Sequence, residues 1–354
     1  MNVWYLNMLK LNIKNNREFQ VLSKLLKSMP RSSLQRNSLF ESDCEILEVG
    51  NQFLAVSTDS IGEEIDLDIY RSSKLWGWMT VMNSVSDLAA SGTKPLGMLI
   101  SNQWKYGTSL KVQKDFFTGA QKALKLSGVP LLGGDSGNGE SHCHTSTVLG
   151  LSNLRPLSRS GVKKGDILCL LGKNQTGNGP ALAFKILFKL SAKSFTENYF
   201  RPVSLIKKMM KLRPLLRASI DTSDGIATSL QILSEINHVG FKTVWNEKTI
   251  SKLAMKFCIN QKIHPLLLWM SDLGDLQTLV AISEKNLSKA LKLEPDLLPI
   301  ARATDYANGI TIQYEQKKFK LPIKEITNCP RNLSALRKVM VKLNERFNEL
   351  DKKA

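Results

Sequence analysis

IDTSDGI, residues 220–226, lies at the centre of the longer stretch RASIDTSDGIATSL. Two carboxylates (Asp221, Asp224) and two hydroxyls (Thr222, Ser223) stand side by side there, and Gly225 then lets the backbone turn. Downstream, residues 227–236 read as an amphipathic helix, with Leu230, Ile232, Leu233 and Ile236 available for burial. Acids and hydroxyls at a helix start can cap it, because they accept hydrogen bonds from its free N–H groups. They can equally hold a cation. Recurrence favours the second reading: Asp43, Asp59, Asp87, Asp135 and Asp275 also stand beside apolar runs.

Working outward, residues 17–29 read as a helix ended by Pro30. Residues 45–49 and 53–57 read as strands about the turn Gly50-Asn51. STDS (57–60) then falls where the second strand stops, a usual place for a site in an α/β domain. Residues 71–91 read as a long helix with Leu75, Trp78, Met82, Val85 and Ala89 on one stripe, closed by Gly92 and Pro95. Asp87 is thereby placed near the C-terminal end, where the macrodipole disfavours a carboxylate by about 0.3–1 kcal/mol. Against that dipole and among small apolar neighbours, it needs a cation or a hydrogen-bond partner. Metal ligand and satisfied structural acid both stay open.

A helix at 110–127 and a strand at 129–132 lead into GGDSGNG (133–139). Its four glycines leave N–H groups free to meet an anion, while Asp135 is placed to hold a cation. His142 and His144 share one face of the following strand, and with no third ligand they read as packing rather than zinc. RPLSRSGVKKG (155–165) is the best domain boundary. GKNQTGNG (172–179) has the G-x-x-x-x-G spacing, but Asn178-Gly179 replaces the Lys and Ser/Thr of a P-loop. It is not one. Strands are expected at 166–171, 240–245, 279–282, 298–304 and 310–314, with a helix at 250–257. Apolar residues at 333, 336, 340, 343, 347 and 350 make the tail a docking helix rather than a coiled coil.

At 354 residues the chain can bury two cores, and its 42% apolar content is that of an ordinary soluble protein. No apolar run approaches the ~20 residues of a membrane helix, and no signal-peptide pattern follows the start. Five scattered cysteines without a CxxC point to a reducing cytoplasm. The net charge of +18 favours anionic partners. It is densest over residues 185–217, with nine Lys/Arg against Glu197. No nucleic-acid module or interleaved aromatic platform accompanies it, so nucleic acid is not expected as the partner.

Together STDS (57–60), SVSDLAASGTKPLG (84–97), GGDSGNG (133–139), RSGVKKGD (159–166) and IDTSDGI (220–226) resemble the aminoimidazole-ribotide synthetase-like ATP-binding superfamily. Within it, they resemble thiamine-monophosphate kinase. The resemblance implies a two-domain α/β (α+β) fold: a leader (1–16), an N-terminal ATP- and metal-binding domain (17–158), a C-terminal domain with a mixed sheet and helices (159–327) and a helical tail (328–354). The N-terminal sheet of such proteins forms a barrel across a homodimer. Mg²⁺ and ATP are implied as cofactor and substrate, with direct transfer to a phosphorylated small molecule and no protein nucleophile. Asp43, Ser57, Thr58, Asp59, Asp87, Asp135, Asp221 and Asp224 match metal positions. Gly134, Asp135, Arg159 and Ser223 match ATP positions.

On the acceptor side the chain departs from that family. Its GDD reads Glu41-Ser42-Asp43, its substrate histidine is Asp66, and its GEDYEL reads LGDLQT (273–278), leaving Asp66 and Asp275 as substrate-side candidates. Asn178 stands where the family has Asp. Three functions follow as expectations. The first is a thiamine-phosphate kinase, the second another ATP-using member with a different acceptor, and the third an inactive nucleotide-binding relative.

Overall fold

Side chains alternate between buried and half-exposed along residues 143–149, so His144, Ser146 and Val148 face inward and their neighbours outward. This strand is the centre of the first of two sheets. The computed structural model describes residues 17–327 and 333–352, apart from 192, 272, 273 and 315. The expected leader (1–16) lies outside the described residues.

In chain order the first half carries α1 (Arg17–Leu26), β1 (Glu45–Val49), β2 (Gln52–Ile61), the single turn α2 (Glu63–Asp66) and α3 (Ser73–Ser91). There follow β3 (Lys94–Lys105), α4 (Leu110–Ser127), β4 (Leu131–Gly139) and β5 (Cys143–Ser152). The second half carries β6 (Ile167–Leu171), α5 (Asn178–Leu187), α6 (Ile206–Leu212), β7 (Leu216–Asp221), α7 (Gly225–Asn237) and β8 (Val239–Val244). Then come α8 (Lys252–Gln261), α9 (Pro265–Met270), β9 (Thr278–Ile282), α10 (Glu284–Leu293), β10 (Leu298–Asp305), β11 (Ile310–Tyr314), β12 (Lys317–Lys320), α11 (Ile323–Thr327) and α12 (Leu333–Lys352).

The first sheet has the order β1-β2-β5-β3-β4 and the second β12-β11-β8-β10-β6-β9-β7. Both are open, with β4 at one edge of the first. Two expectations need correcting. STDS does not follow β2 but lies within it, pairing Ser57, Thr58 and Asp59 with Val148, Thr147 and Ser146 of β5. Hydroxyl side chains suit a paired strand, and Thr147 Oγ1 donates to Thr58 Oγ1 at 3.1 Å across the ladder. GGDSGNG is likewise strand, parallel to β3, and not a loop. A Cβ on Gly134 would lie 1.7 Å from the Ile100 carbonyl oxygen, so glycine there serves strand approach.

Helix α3 is the rod on which both halves pack. Instead of one buried stripe it buries 13 of its 19 residues, because the first sheet, α4 and β7 surround it. Gly77 of α3 and Gly119 of α4 allow the two helices to touch backbone to backbone: an added Cβ would lie 1.9 Å from the Phe116 and Lys74 carbonyl oxygens respectively. The second half grips both ends of the rod. Glu197 accepts hydrogen bonds from the backbone N–H groups of Arg71 and Ser72, each at 3.1 Å, at its N-terminal end. Ser219 Oγ donates to the Ala90 carbonyl at 2.5 Å near its other end. The tail helix α12 buries Met340, Leu343 and Phe347, and Asn344 Oδ1 accepts from the His264 backbone N–H at 2.8 Å. Among the described residues no helix is long and apolar enough to cross a membrane.

Replacing Gly77 with Ala forces α3 and α4 apart. Chemical denaturation should show a loss of about 1–3 kcal/mol, the usual cost of overpacking a tight core. Gly128→Ser, where nothing lies within 4 Å of an added Cβ, should lose less and only through its positive φ.

Candidate active site at the domain junction

Three carboxylates meet where α3 crosses from the first sheet to the second. Asp87 comes from the last turns of α3, Asp43 from the loop before β1, and Asp221 from the end of β7. Each offers an oxygen, and the three oxygens lie within 4.8 Å of one another. Each is held. Ser57 Oγ of β2 donates to Asp87 Oδ2. Arg159 donates to Asp43 Oδ1 from Nη2 at 2.9 Å and Nε at 3.3 Å. Asp221 accepts from Ser86 Oγ through Oδ2 and from Ser223 Oγ through Oδ1, both at 2.9 Å.

Burial and crowding act on the same groups. Burial first, and then the charges of Asp221, Asp43 and Asp59, push the Asp87 carboxyl well above the usual carboxylate range. Burial and then Asp43 raise Asp221 to about 7, against the hydrogen bonds from Ser86 and Ser223. A carboxylate destabilised by burial and like charge is stabilised by a divalent cation, and the all-oxygen donor set suits a hard ion such as Mg²⁺. The residues therefore fit the group that the resemblance implies.

Asp59 shares the inner face of β2 with Ser57, and burial raises it to about 6, with Glu64 and Asp224 adding repulsion. Asp224 stands at the N-cap of α7 without a side-chain capping bond, and the Ser223 hydroxyl is given to Asp221. The capping reading of IDTSDGI is therefore not what forms. Other candidates lie elsewhere. Thr58 points to the opposite face of the sheet, bonded to the Ser146 carbonyl at 3.2 Å. Gly134 and Asp135 are on β4, two strands beyond β5 in the order of the sheet, roughly 14 Å from β2 at ordinary strand spacing. Asp135 is opposite Ser101, on the outer face with Thr58.

Asp66 is exposed at the end of α2, where its charge reaches His142. Asp275 is buried and accepts the backbone N–H groups of Gly177 and, at 2.6 Å, Gly179, at the start of α5. That is a helix-capping role. Sequence reading missed Ser86, Glu64, Thr176 and Gln277. Ser86 carried a signal, since it neighbours Asp87 within SVSD, and Glu64 is only five residues from Asp59; Thr176 and Gln277 become visible only when loops distant in sequence meet.

The pKa shifts set a direction for stability. The folded pKa values of Asp87 and Asp221 lie above the ~3.9 of an unfolded aspartate, so the folded state keeps protons that the unfolded state releases. Stability is therefore full below about pH 4 and falls as pH rises toward 7. In EDTA, thermal denaturation should show stability declining between about pH 4 and 7, on the order of 1–3 kcal/mol, with a shallower slope in Asp87→Asn, where Asp221 still titrates. Equal slopes in the two proteins would show that Asp87 is not raised in the folded state.

Residues 41–152 match the family model "AIR synthase related protein, N-terminal domain". Thiamine-monophosphate kinase of Buchnera aphidicola subsp. Acyrthosiphon pisum is 26% identical over 312 residues, covering 85% of this chain and 95% of that protein. Thiamine-monophosphate kinase of Archaeoglobus fulgidus is 28% identical over 218 residues, covering 60% of this chain and 70% of that protein. Among solved structures, AaThiL complexed with AMPPCP and TMP superposes with a TM-score of 0.71 at 20% identity, covering 86% of this chain and 96% of that one. Over residues 41–152 the chain is thus similar to AIR synthase-related proteins, and along most of its length to thiamine-monophosphate kinases, whose fold it shares.

Proposed function

We propose that this protein is an Mg²⁺-dependent phosphotransferase that converts ATP and thiamine phosphate into ADP and thiamine diphosphate. The convergence of Asp43, Asp87 and Asp221 from both halves of the chain carries the reading. The relatives named thiamine-monophosphate kinase, and the similar fold solved with an ATP analogue and TMP, support it. Bound Mg²⁺ would neutralise the facing phosphates and stabilise charge on the transferring group. Asp43, Asp87 and Asp221 would hold it, with Ser57, Asp59 and Asp224 at the margin.

The chain's own groups supply position. Arg159 fixes Asp43 and brings a planar cation to the junction, suited to phosphate oxygens. Ser86 and Ser223 orient both oxygens of Asp221. The acceptor oxygen is already an anionic phosphate oxygen, so no side chain needs to act as nucleophile or base. A different phosphorylated acceptor is the second reading, favoured by the engagement of Asp275 with backbone N–H groups.

We further propose a homodimer closed through β4. That strand is an exposed edge of unpaired backbone groups, and Leu96, Leu99, Leu131 and Leu132 are exposed beside it. A second copy of this sheet would cover the edge and complete a barrel, bringing the outer-face Thr58 and Asp135 into an enclosed surface. The free thiols of Cys44, Cys143, Cys169 and Cys258 suit the cytoplasm.

Purified protein with ATP, Mg²⁺ and thiamine phosphate should yield thiamine diphosphate by mass spectrometry. Asp221→Asn should lower kcat by roughly 100-fold or more, as loss of a group stabilising transition-state charge does. ATP turnover with some other acceptor only would select the second reading. Light scattering should give a mass of two chains, reduced to one by Leu99→Asp together with Leu132→Asp.

A further inference from the structure

Behind the carboxylate centre runs a buried chain of polar groups that the proposed reaction does not use. Gln277, the residue before β9, makes three bonds across it. Its carbonyl accepts the Thr222 backbone N–H at 2.9 Å, and its Oε1 accepts the Thr222 hydroxyl at 2.9 Å. Its Nε2 donates to Thr176 Oγ1 at 2.5 Å, on the loop leading into α5. All three residues are at most 2% exposed. Thr222 is the neighbour of Asp221 on one side and Ser223 on the other, so this clamp fixes the segment from which both project.

The segment is also held by Ser229 Oγ, which donates to the Asp221 carbonyl at 3.0 Å, and by the Gly225 N–H, which donates to the Thr222 carbonyl at 2.9 Å. A cavity of about 10 Å³, room for one water, opens between Thr176, Thr222, Gly225, Trp269, Asp275 and Gln277. Gly274 faces the Ser223 backbone so closely that an added Cβ would lie 3.0 Å from Ser223 Cα. Buried Ile226, Leu268 and Trp269 wall the cavity, while the polar side of the loop is set by hydrogen bonds and bare backbone.

We propose that Gln277 is a positioning residue for the carboxylate centre: by holding Thr222 against Thr176 it keeps Asp221, oriented by Ser223, facing Asp43 and Asp87. The inference rests on the reading of that centre as a divalent-cation site. An amide both accepts and donates, which joins two hydroxyls at once. A leucine of similar size does neither. A glutamate still accepts from both hydroxyls, which rotate to donate.

The test is Mn²⁺ binding by calorimetry on the full chain, without nucleotide or acceptor. Gln277→Leu should weaken Mn²⁺ binding about tenfold or more, the usual cost of losing a group that orients a ligand, while Gln277→Glu stays within about threefold of wild type. Phe257→Leu, a core change away from the loop, should lower the melting temperature without altering Mn²⁺ affinity. Thr222→Val and Thr176→Val cut single bonds of the clamp with nearly isosteric side chains, and each should weaken binding in the same direction should Gln277→Leu fail to fold. Wild-type affinity in Gln277→Leu, or in both threonine variants, overturns the inference. Absence of Mn²⁺ binding by the wild type overturns it together with the metal site. Binding without thiamine diphosphate formation counts against the proposed acceptor alone.

Discussion

Three carboxylates held within 4.8 Å of one another, two half-buried and Asp221 buried, cannot all carry charge without a compensating cation, and the architecture is arranged around that conflict. Coulomb repulsion at this separation is about 1 kcal/mol in water and several times larger where water is excluded. The chain meets it partly from within. Arg159 offsets Asp43, and hydroxyls of Ser57, Ser86 and Ser223 bond the other two. A divalent ion is the complement these oxygens lack, and ATP phosphates are the ligands such an ion brings.

Holding acids from opposite halves this close demands a rigid junction, and α3 provides it. The helix is buried on nearly all sides, touches α4 without intervening side chains, and is bonded to the second half at both ends through Glu197 and Ser219. Fold and site therefore depend on the same element. Asp87 sits at the unfavourable end of the helix dipole because that end is where the second sheet arrives.

The positive charge has a less focused role. Part of the basic segment at 185–217 is paired with distant acids: Lys208 with Glu294 and Asp296, and Arg217 with Asp166. Elsewhere Arg302 pairs with Glu284. The excess that remains favours approach of anionic metabolites such as nucleotides and phosphate esters.

Much of the site was legible in the sequence, because an acid beside an apolar run and against a helix dipole is costly enough to announce a purpose. The dipole singles out Asp87, and position beside apolar runs Asp43 and Asp221; the structure brings the three together. Local pattern also marked α3, α4, β11 and the docked tail, since periodicity and glycine caps act over a few residues. Local pattern misread STDS and GGDSGNG, where strand pairing with β5 and β3 overrode the turn signals of small polar residues and glycine. Tertiary structure alone decided that Asp275 caps α5, that Thr58 and Asp135 face away from the carboxylates, and that Gln277 ties Thr222 to Thr176. Those outcomes depend on which distant loops and strands become neighbours. No one-dimensional spacing carries that information.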